Sequence, residues 1–333
     1  MQKTKIVVFG VGEIWRKYRE NLADKYEIVA LIDSSVKANE QAVIDGYTCL
    51  CPNDIFKIKW NKVLILPPLL KVKMEIVEIL LSLGVAKSDI ILYLADAQRY
   101  WGNAVLKLSE TGLHGQFREV VFDAESESDY NIVQEVYLDL EYGCCTGSEK
   151  LLVLDMGMNI GLASLFYVAK PEVTAVYGFE PFGPTYEQAL KNFQQNPRHI
   201  QEKLHPQRMG LSNREQTLCL AYNQSFSGGM SIYGQQTVDG EPMQLREASE
   251  VLAPILSKRD HQKVLAKIDV EGSEYDILPN LAASQLLNEI DFIIMETHFA
   301  REREALDILQ KNGFSYFLNS GPAGLGVVRA MRR

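Results

Sequence analysis

Two short stretches place ionisable side chains at alternating positions on what read as strand ends. "KIDVEG" sets Asp269 and Glu271 two residues apart, and "METH" does the same with Glu296 and His298. In extended backbone, residues two apart project from one face. If the two strands are neighbours, four ionisable groups converge on one sheet edge, where they suit removal of a proton from an acceptor. His298 is the first candidate base on its unperturbed pKa of about 6.5. The same donors also suit Mg²⁺ or Mn²⁺, although a metal-free site is the preferred reading.

A second constellation precedes these by about a hundred residues. "LDMGMNIG" carries Asp155, Gly157, Asn159 and Gly161 at two-residue intervals, and Glu180 closes the next strand in "GFEP". Nucleoside-binding α/β folds need a glycine turn, a helix starting there, and an acid after the next strand for ribose hydroxyls. No Walker-type lysine follows the turn, which separates it from a phosphate loop. An earlier stretch, "FGVGEIW", offers Gly10 and Gly12, but Trp15 occupies the place of the third glycine, with Asp33 as the candidate ribose acid. That partial match favours a structural turn. An NAD(P)-dependent oxidoreductase or epimerase built on it is the alternative.

The elements that must position these groups can be read from hydrophobic patterning. Residues 1–95 alternate buried strands ("KIVVFG", "YEIVALID", "KVLILPP", "DIILY") with helices, which predicts a parallel sheet. Over 96–148 the strand signal weakens, and Ile132, Val136 and Leu140 recur every four residues. This predicts a helical connector that packs on, or lids, the C-terminal half. Residues 149–333 open a second α/β series. Within it, 223–247 is long, rich in Gly, Ser and Gln, and includes Gly228 and Gly229 as a possible acceptor border.

Composition narrows the function. With 34 basic against 43 acidic residues, the net charge of −9 argues against gripping a nucleic-acid backbone. No apolar run is long enough to cross a bilayer, so a cytoplasmic protein without a membrane partner is expected. The five cysteines (Cys49, Cys51, Cys144, Cys145, Cys219) fit neither a disulfide framework nor paired zinc ligands. They read as free thiols.

Taken in order, "DMGMNIG", "GFEP", "GLSN", "KIDVEGSEYDIL" and "IIMETH" resemble the FkbM-type S-adenosylmethionine-dependent methyltransferases across the C-terminal half. The resemblance implies two Rossmann-like domains in an α/β chain, the second a seven-stranded class I methyltransferase sheet whose last strand runs antiparallel. It further implies that Gly157–Gly161 accommodate the methionine part of the cofactor, that Asp155 contacts its amino group, and that Asn159 shapes the turn. Glu180, beside Pro181, would take the ribose hydroxyls, and Ser212 and Asn213 would border the adenine. Met158 stands where a small residue is usual and is expected to narrow the pocket. Asp269 is the alternative base. The implied activity is O-methylation of a sugar or other hydroxylated metabolite, with a small-molecule or glycan acceptor. A binding protein without turnover is a further alternative. The N-terminal part is similar, more vaguely, to Rossmann-like domains of sugar-processing proteins, and would dock an acceptor carrier, support a homodimer, or do neither.

Overall fold

A computed structural model describes residues 3–143, 147, 149–221, 237, 240–320 and 326–333. The chain divides into two compact units, Met1–Arg118 with Asp123–Gln134, and Glu119–Phe122 with Glu135–Arg333.

In the first unit, the apolar runs become β1 (Lys5–Phe9), β2 (Glu27–Ile32), β3 (Ala42–Ile44), β4 (Tyr47–Leu50), β5 (Lys62–Ile65) and β6 (Ile90–Leu92). They form one sheet in the order β3-β4-β2-β1-β5-β6. All pair parallel except β3, which runs antiparallel to β4. Helices α1 (Glu13–Lys25) and α2 (Leu70–Ser82) provide the crossovers expected of parallel strands.

The first glycine turn is occupied by its own fold. Gly10 has φ +101°, and a Cβ there would lie 2.9 Å from Cδ of Pro67. Trp15 is fully buried and its indole N–H donates to Asp45 at 2.8 Å. Asp33 accepts from the backbone N–H and hydroxyl of Ser35 at 2.9 and 2.6 Å. Gly10, Trp15 and Asp33 are thus each engaged in local structure.

The expected helical connector contains a three-stranded sheet between its helices. After α3 (Ala95–Trp101), β7 (Ala104–Leu108), β8 (Leu113–Phe117) and β9 (Val120–Ala124) form a three-stranded sheet in that order. Their burial alternates strictly: Leu113, Gly115 and Phe117 are buried, then Val120, Phe122 and Ala124. This period of two outweighs the period of four read further along. Beyond the sheet, α4 (Glu127–Val133) is started by a capping box between Ser126 and Asp129. It runs into one π-helical turn at Gln134–Leu138.

The second unit carries β10 (Leu151–Met156), α5 (Leu162–Val168), β11 (Val173–Phe179), α6 (Gly183–Gln194), α7 (Arg198–Gln201) and β12 (Leu204–Gln207). Next come β13 (Gly210–Ser212), β14 (Gln216–Leu220), β15 (Glu241–Glu247), α8 (Ala248–Leu256), β16 (Lys263–Ile268) and α9 (Glu274–Ala283). The series ends with β17 (Phe292–Thr297), α10 (Glu302–Lys311), β18 (Phe314–Ser320) and β19 (Gly326–Arg332). Seven strands form one sheet in the order β12-β11-β10-β16-β17-β19-β18. The final strand, β19, runs antiparallel to both neighbours, and the others described are parallel. "LHPQRMGLS" divides between β12 of this sheet and β13 of a smaller one ordered β13-β15-β14. Every residue of β10 is buried, as a central strand covered on both faces requires. Gly228 and Gly229, suggested as an acceptor border, lie outside the described residues, as do Cys144 and Cys145.

Candidate active site

β10, β11, β16 and β17 end side by side, and the turns leaving them build one site. The turn after β10 alternates left-handed residues: Gly157 (φ +80°), Asn159 (φ 51°) and Gly161 (φ +84°). At Asn159 the side-chain oxygen accepts from the Ile160 N–H at 2.7 Å, the local bond that lets asparagine hold this conformation. A Cβ on Gly157 would fall 1.7 Å from the Asp269 carbonyl oxygen, so only glycine lets the turns after β10 and β16 meet. At Gly161 a Cβ would press on the Phe193 ring at 2.5 Å, so that glycine serves the packing of α5 on α6.

Glu180 follows β11. Its two carboxylate oxygens accept from the backbone N–H groups of Asn159 (3.0 Å) and Phe182 (2.9 Å). Burial pushes its pKa up to about 7, partly offset by these amides. The pocket beside it is lined by Gly157, Asn159, Glu180, Pro181, Phe182 and Leu211 among others, and continues to Asp269 and Glu271. Within "GLSN", Gly210 and Leu211 line this pocket. Ser212 and Asn213 instead donate to Asp276, at 3.5 and 3.0 Å. Met158 does not narrow this pocket: its side chain occupies the space left by Gly178 on β11, where a Cβ would lie 2.3 Å from its sulfur.

Asp155 is fully buried and does not line the pocket. It accepts from the Ser164 hydroxyl at 2.6 Å and lies 3.4 Å from the ammonium of Lys267. Lys267 is the central feature that the motif reading missed. It is 2% exposed, donates to the Gly157 carbonyl at 2.7 Å, and reaches Asp269 at 3.2 Å. A cation between buried Asp155 and half-buried Asp269 offsets the desolvation of the three groups. The phenol of Tyr142 also donates to Asp269 at 2.9 Å. Burial opposes ionisation of Asp269, but Lys267, His298 and Tyr142 hold its pKa below the usual carboxylate range.

The structure does bring Asp269, Glu271, Glu296 and His298 together. His298, 4% exposed, follows β17, with Nε2 at 3.4 Å from Glu271 and 3.9 Å from Glu296. Its Nδ1 lies 3.0 Å from Glu274, a fully buried carboxylate that also accepts the His298 backbone N–H at 3.1 Å. Burial favours the neutral ring, yet the Glu274 bond and the Glu271 charge override it and raise the pKa to about 9. The unperturbed value that made His298 the first candidate base therefore does not apply; the ring is protonated at neutral pH. The carboxylates move the other way. Burial, with repulsion from Asp269, raises Glu296 to about 8, and burial raises Glu271 to about 7. Glu135, on the π-helical turn, also rises to about 8 through burial and the nearby Asp269. Glu135 and Tyr142 come from the segment expected to lid the site, and no local motif announced them.

Residues 155–316 match the methyltransferase FkbM domain, and residues 2–91 match the C2185-like N-terminal domain. A curated relative, Methyltransferase 1 of Beauveria bassiana, is 24% identical over 203 residues, covering 55% of this chain and 80% of the relative. Among solved structures, the methyltransferase FkbM of Methylobacillus flagellatus aligns at 13% identity and TM-score 0.41, over 99% of this chain and 90% of that one. A putative tRNA (m1A22) methyltransferase from Streptococcus pneumoniae, in complex with S-adenosyl-L-methionine, aligns at 15% identity and TM-score 0.36, over 56% and 67% of the two chains.

Proposed function

We infer, from the match of residues 155–316 to the methyltransferase FkbM domain, that this protein uses S-adenosylmethionine to methylate a hydroxyl of a sugar or another hydroxylated metabolite. The observation that carries the cofactor reading is Glu180. Its carboxylate is held at the tip of β11 by two backbone amides and faces the pocket that begins at the Gly157 turn. A carboxylate so placed accepts two hydrogen bonds from a ribose diol. The glycine turn admits an uncharged or zwitterionic chain, and Gly210, Leu211 and Phe182 give flat, largely apolar walls for a base.

When bound, the cofactor supplies an electrophilic methyl group on sulfur. The chain's own residues then position an acceptor and take its proton. Asp269 and Glu271 form the wall where pocket and acidic cluster meet. Asp269 stays ionised and tied to Lys267 and Tyr142, which suits orientation better than proton transfer. Glu296, with a pKa near the working pH, is the proton acceptor. Without a bound cation, protonated His298 donates from Nε2 and steadies the developing negative charge on the acceptor oxygen; a cation on Nε2 would replace that proton. The acceptor class rests on the family resemblance and on the carboxylate-rich wall, whose oxygens accept hydrogen bonds from hydroxyl groups.

Calorimetric titration of the full chain with S-adenosylhomocysteine and with NAD tests this reading. Binding of the former alone is expected. Binding of NAD alone would overturn it in favour of an oxidoreductase. Cofactor binding without methyl transfer to any acceptor in a broad glycan and metabolite screen would leave a binding protein.

A further inference from the structure

We propose that Asp269, Glu271 and His298 hold a divalent cation of the Mg²⁺ or Mn²⁺ type at the acceptor end of the pocket. One ligand atom from each of these residues lies within 4.8 Å of the other two. Hard cations with bonds of about 2.1 Å place neighbouring ligands about 3 Å apart, and Nε2 of His298 is 3.4 Å from Glu271. Small side-chain rotations close the rest.

Independent features of the three donors point to a ligand among them. His298 is buried, and its Nδ1 is taken by Glu274. Among the described residues its Nε2 makes no hydrogen bond, having only the longer separations to Glu271 and Glu296. A buried carboxylate on the far nitrogen is the arrangement that orients a metal-binding imidazole. On Asp269, both Lys267 and Tyr142 engage Oδ2, which leaves Oδ1 for another partner. Glu271 stands in a left-handed conformation (φ 49°) before Gly272, whose N–H is fixed by Glu274 at 2.8 Å. One buried glutamate thus sets both the imidazole and the turn that carries a carboxylate.

Mg²⁺ and Mn²⁺ favour six ligands, so three protein donors leave positions for acceptor oxygens. A vicinal diol or a hydroxy-carbonyl group would fill two of them; this last step rests on the methyl-transfer reading above. The cation site itself does not.

The test uses Mn²⁺ as probe on the full chain after chelator treatment, with free Mn²⁺ followed by electron paramagnetic resonance. One equivalent is expected to bind. Glu271→Gln, isosteric and at a partly exposed position, is expected to weaken it at least tenfold, and Glu274→Gln by about 10–100-fold through the imidazole. Absence of Mn²⁺ binding at millimolar concentration, or equal binding by wild type and Glu271→Gln, would overturn the proposal. Thermal melts show whether Glu274→Gln folds, and Glu271→Gln carries the test if it does not. S-adenosylhomocysteine titrated in parallel separates the two readings. Mn²⁺ binding that depends on Glu271, without cofactor binding, upholds the cation site and removes the methyl donor; the reverse pattern removes the cation site alone.

Discussion

Lys267 and Asp269, neighbours but one along the chain, face each other 3.2 Å apart, with Asp155 on the other side of the same ammonium at 3.4 Å. Removing the cation leaves buried Asp155 and half-buried Asp269 without the ammonium they share. Lys267→Met is therefore expected to cost about 3–5 kcal/mol, read by chemical denaturation. A loss below about 1 kcal/mol would show that the pair does not hold the two turns.

Glu180 must be ionised to accept two hydroxyl donors, and its pKa sits at about 7. A proton then competes with the ligand. Affinity for S-adenosylhomocysteine should be level above pH 8 and fall about tenfold per pH unit well below pH 7. Glu180→Gln should bind weakly and lose the pH slope. A wild-type affinity constant from pH 5.5 to 8 would remove Glu180 from the ribose contact.

The proton-acceptor role proposed for Glu296 predicts an effect on turnover rather than on cofactor binding. Glu296→Gln is expected to lower kcat by about 10²–10⁴ with the S-adenosylhomocysteine affinity unchanged. His298→Ala should lower kcat too, without the pH-profile shift expected of a lost base. Full activity in Glu296→Gln would return the role to Asp269.

The two glycine turns should respond differently to a methyl group. Gly157→Ala meets both a φ of +80° and the Asp269 carbonyl, so a loss above about 2 kcal/mol is expected, together with loss of cofactor binding. Gly12 has φ −76° and no atom within 4 Å of a new Cβ; Gly12→Ala should cost less than about 1 kcal/mol. Equal effects in thermal melts would contradict this division.

Lys73 is 1% exposed on α2 and donates to the carbonyls of Ile65 and Leu66, at 3.2 and 3.3 Å. Burial lowers its pKa from 10.5 to about 7. Between those values the unfolded chain holds the extra proton, so stability rises with pH from about 7 to 10.5 and is insensitive to this group below 7. Lys73→Met should raise stability at pH 7 or below and flatten the alkaline gain. Stability that falls across the same window in the wild type, relative to the variant, would reverse the sign.

Much of the site was legible because alternation along a strand is a strong rule. Asp269 with Glu271, and Glu296 with His298, converge because β16 and β17 are neighbours and end together. Glu180 was legible from its place after β11. Lys267 was not: inside "AKIDV" a lysine reads as a strand residue, and only the fold shows that its ammonium reaches back to the Gly157 turn. Glu274 likewise looks like an ordinary first-turn acid of α9 until His298 is found beside it. The pKa of His298 comes from that long-range pairing, which no spacing encodes. The sheet over β7–β9 was legible in principle, since Leu113, Phe117, Val120 and Phe122 alternate with half-exposed residues. The four-residue spacing further along drew the whole segment towards helix.

The approach of Gly157 to the Asp269 carbonyl has a kinetic consequence. Main chain meets main chain there, so under the proposed methyl transfer the wall assigned to the donor and the wall assigned to the acceptor form a single block. Alignment of the two reactants is then a fixed dimension of this block rather than an outcome of closure. Discrimination among acceptors must come from how well each one spans that set gap, and a longer or shorter acceptor would lose turnover before it lost binding.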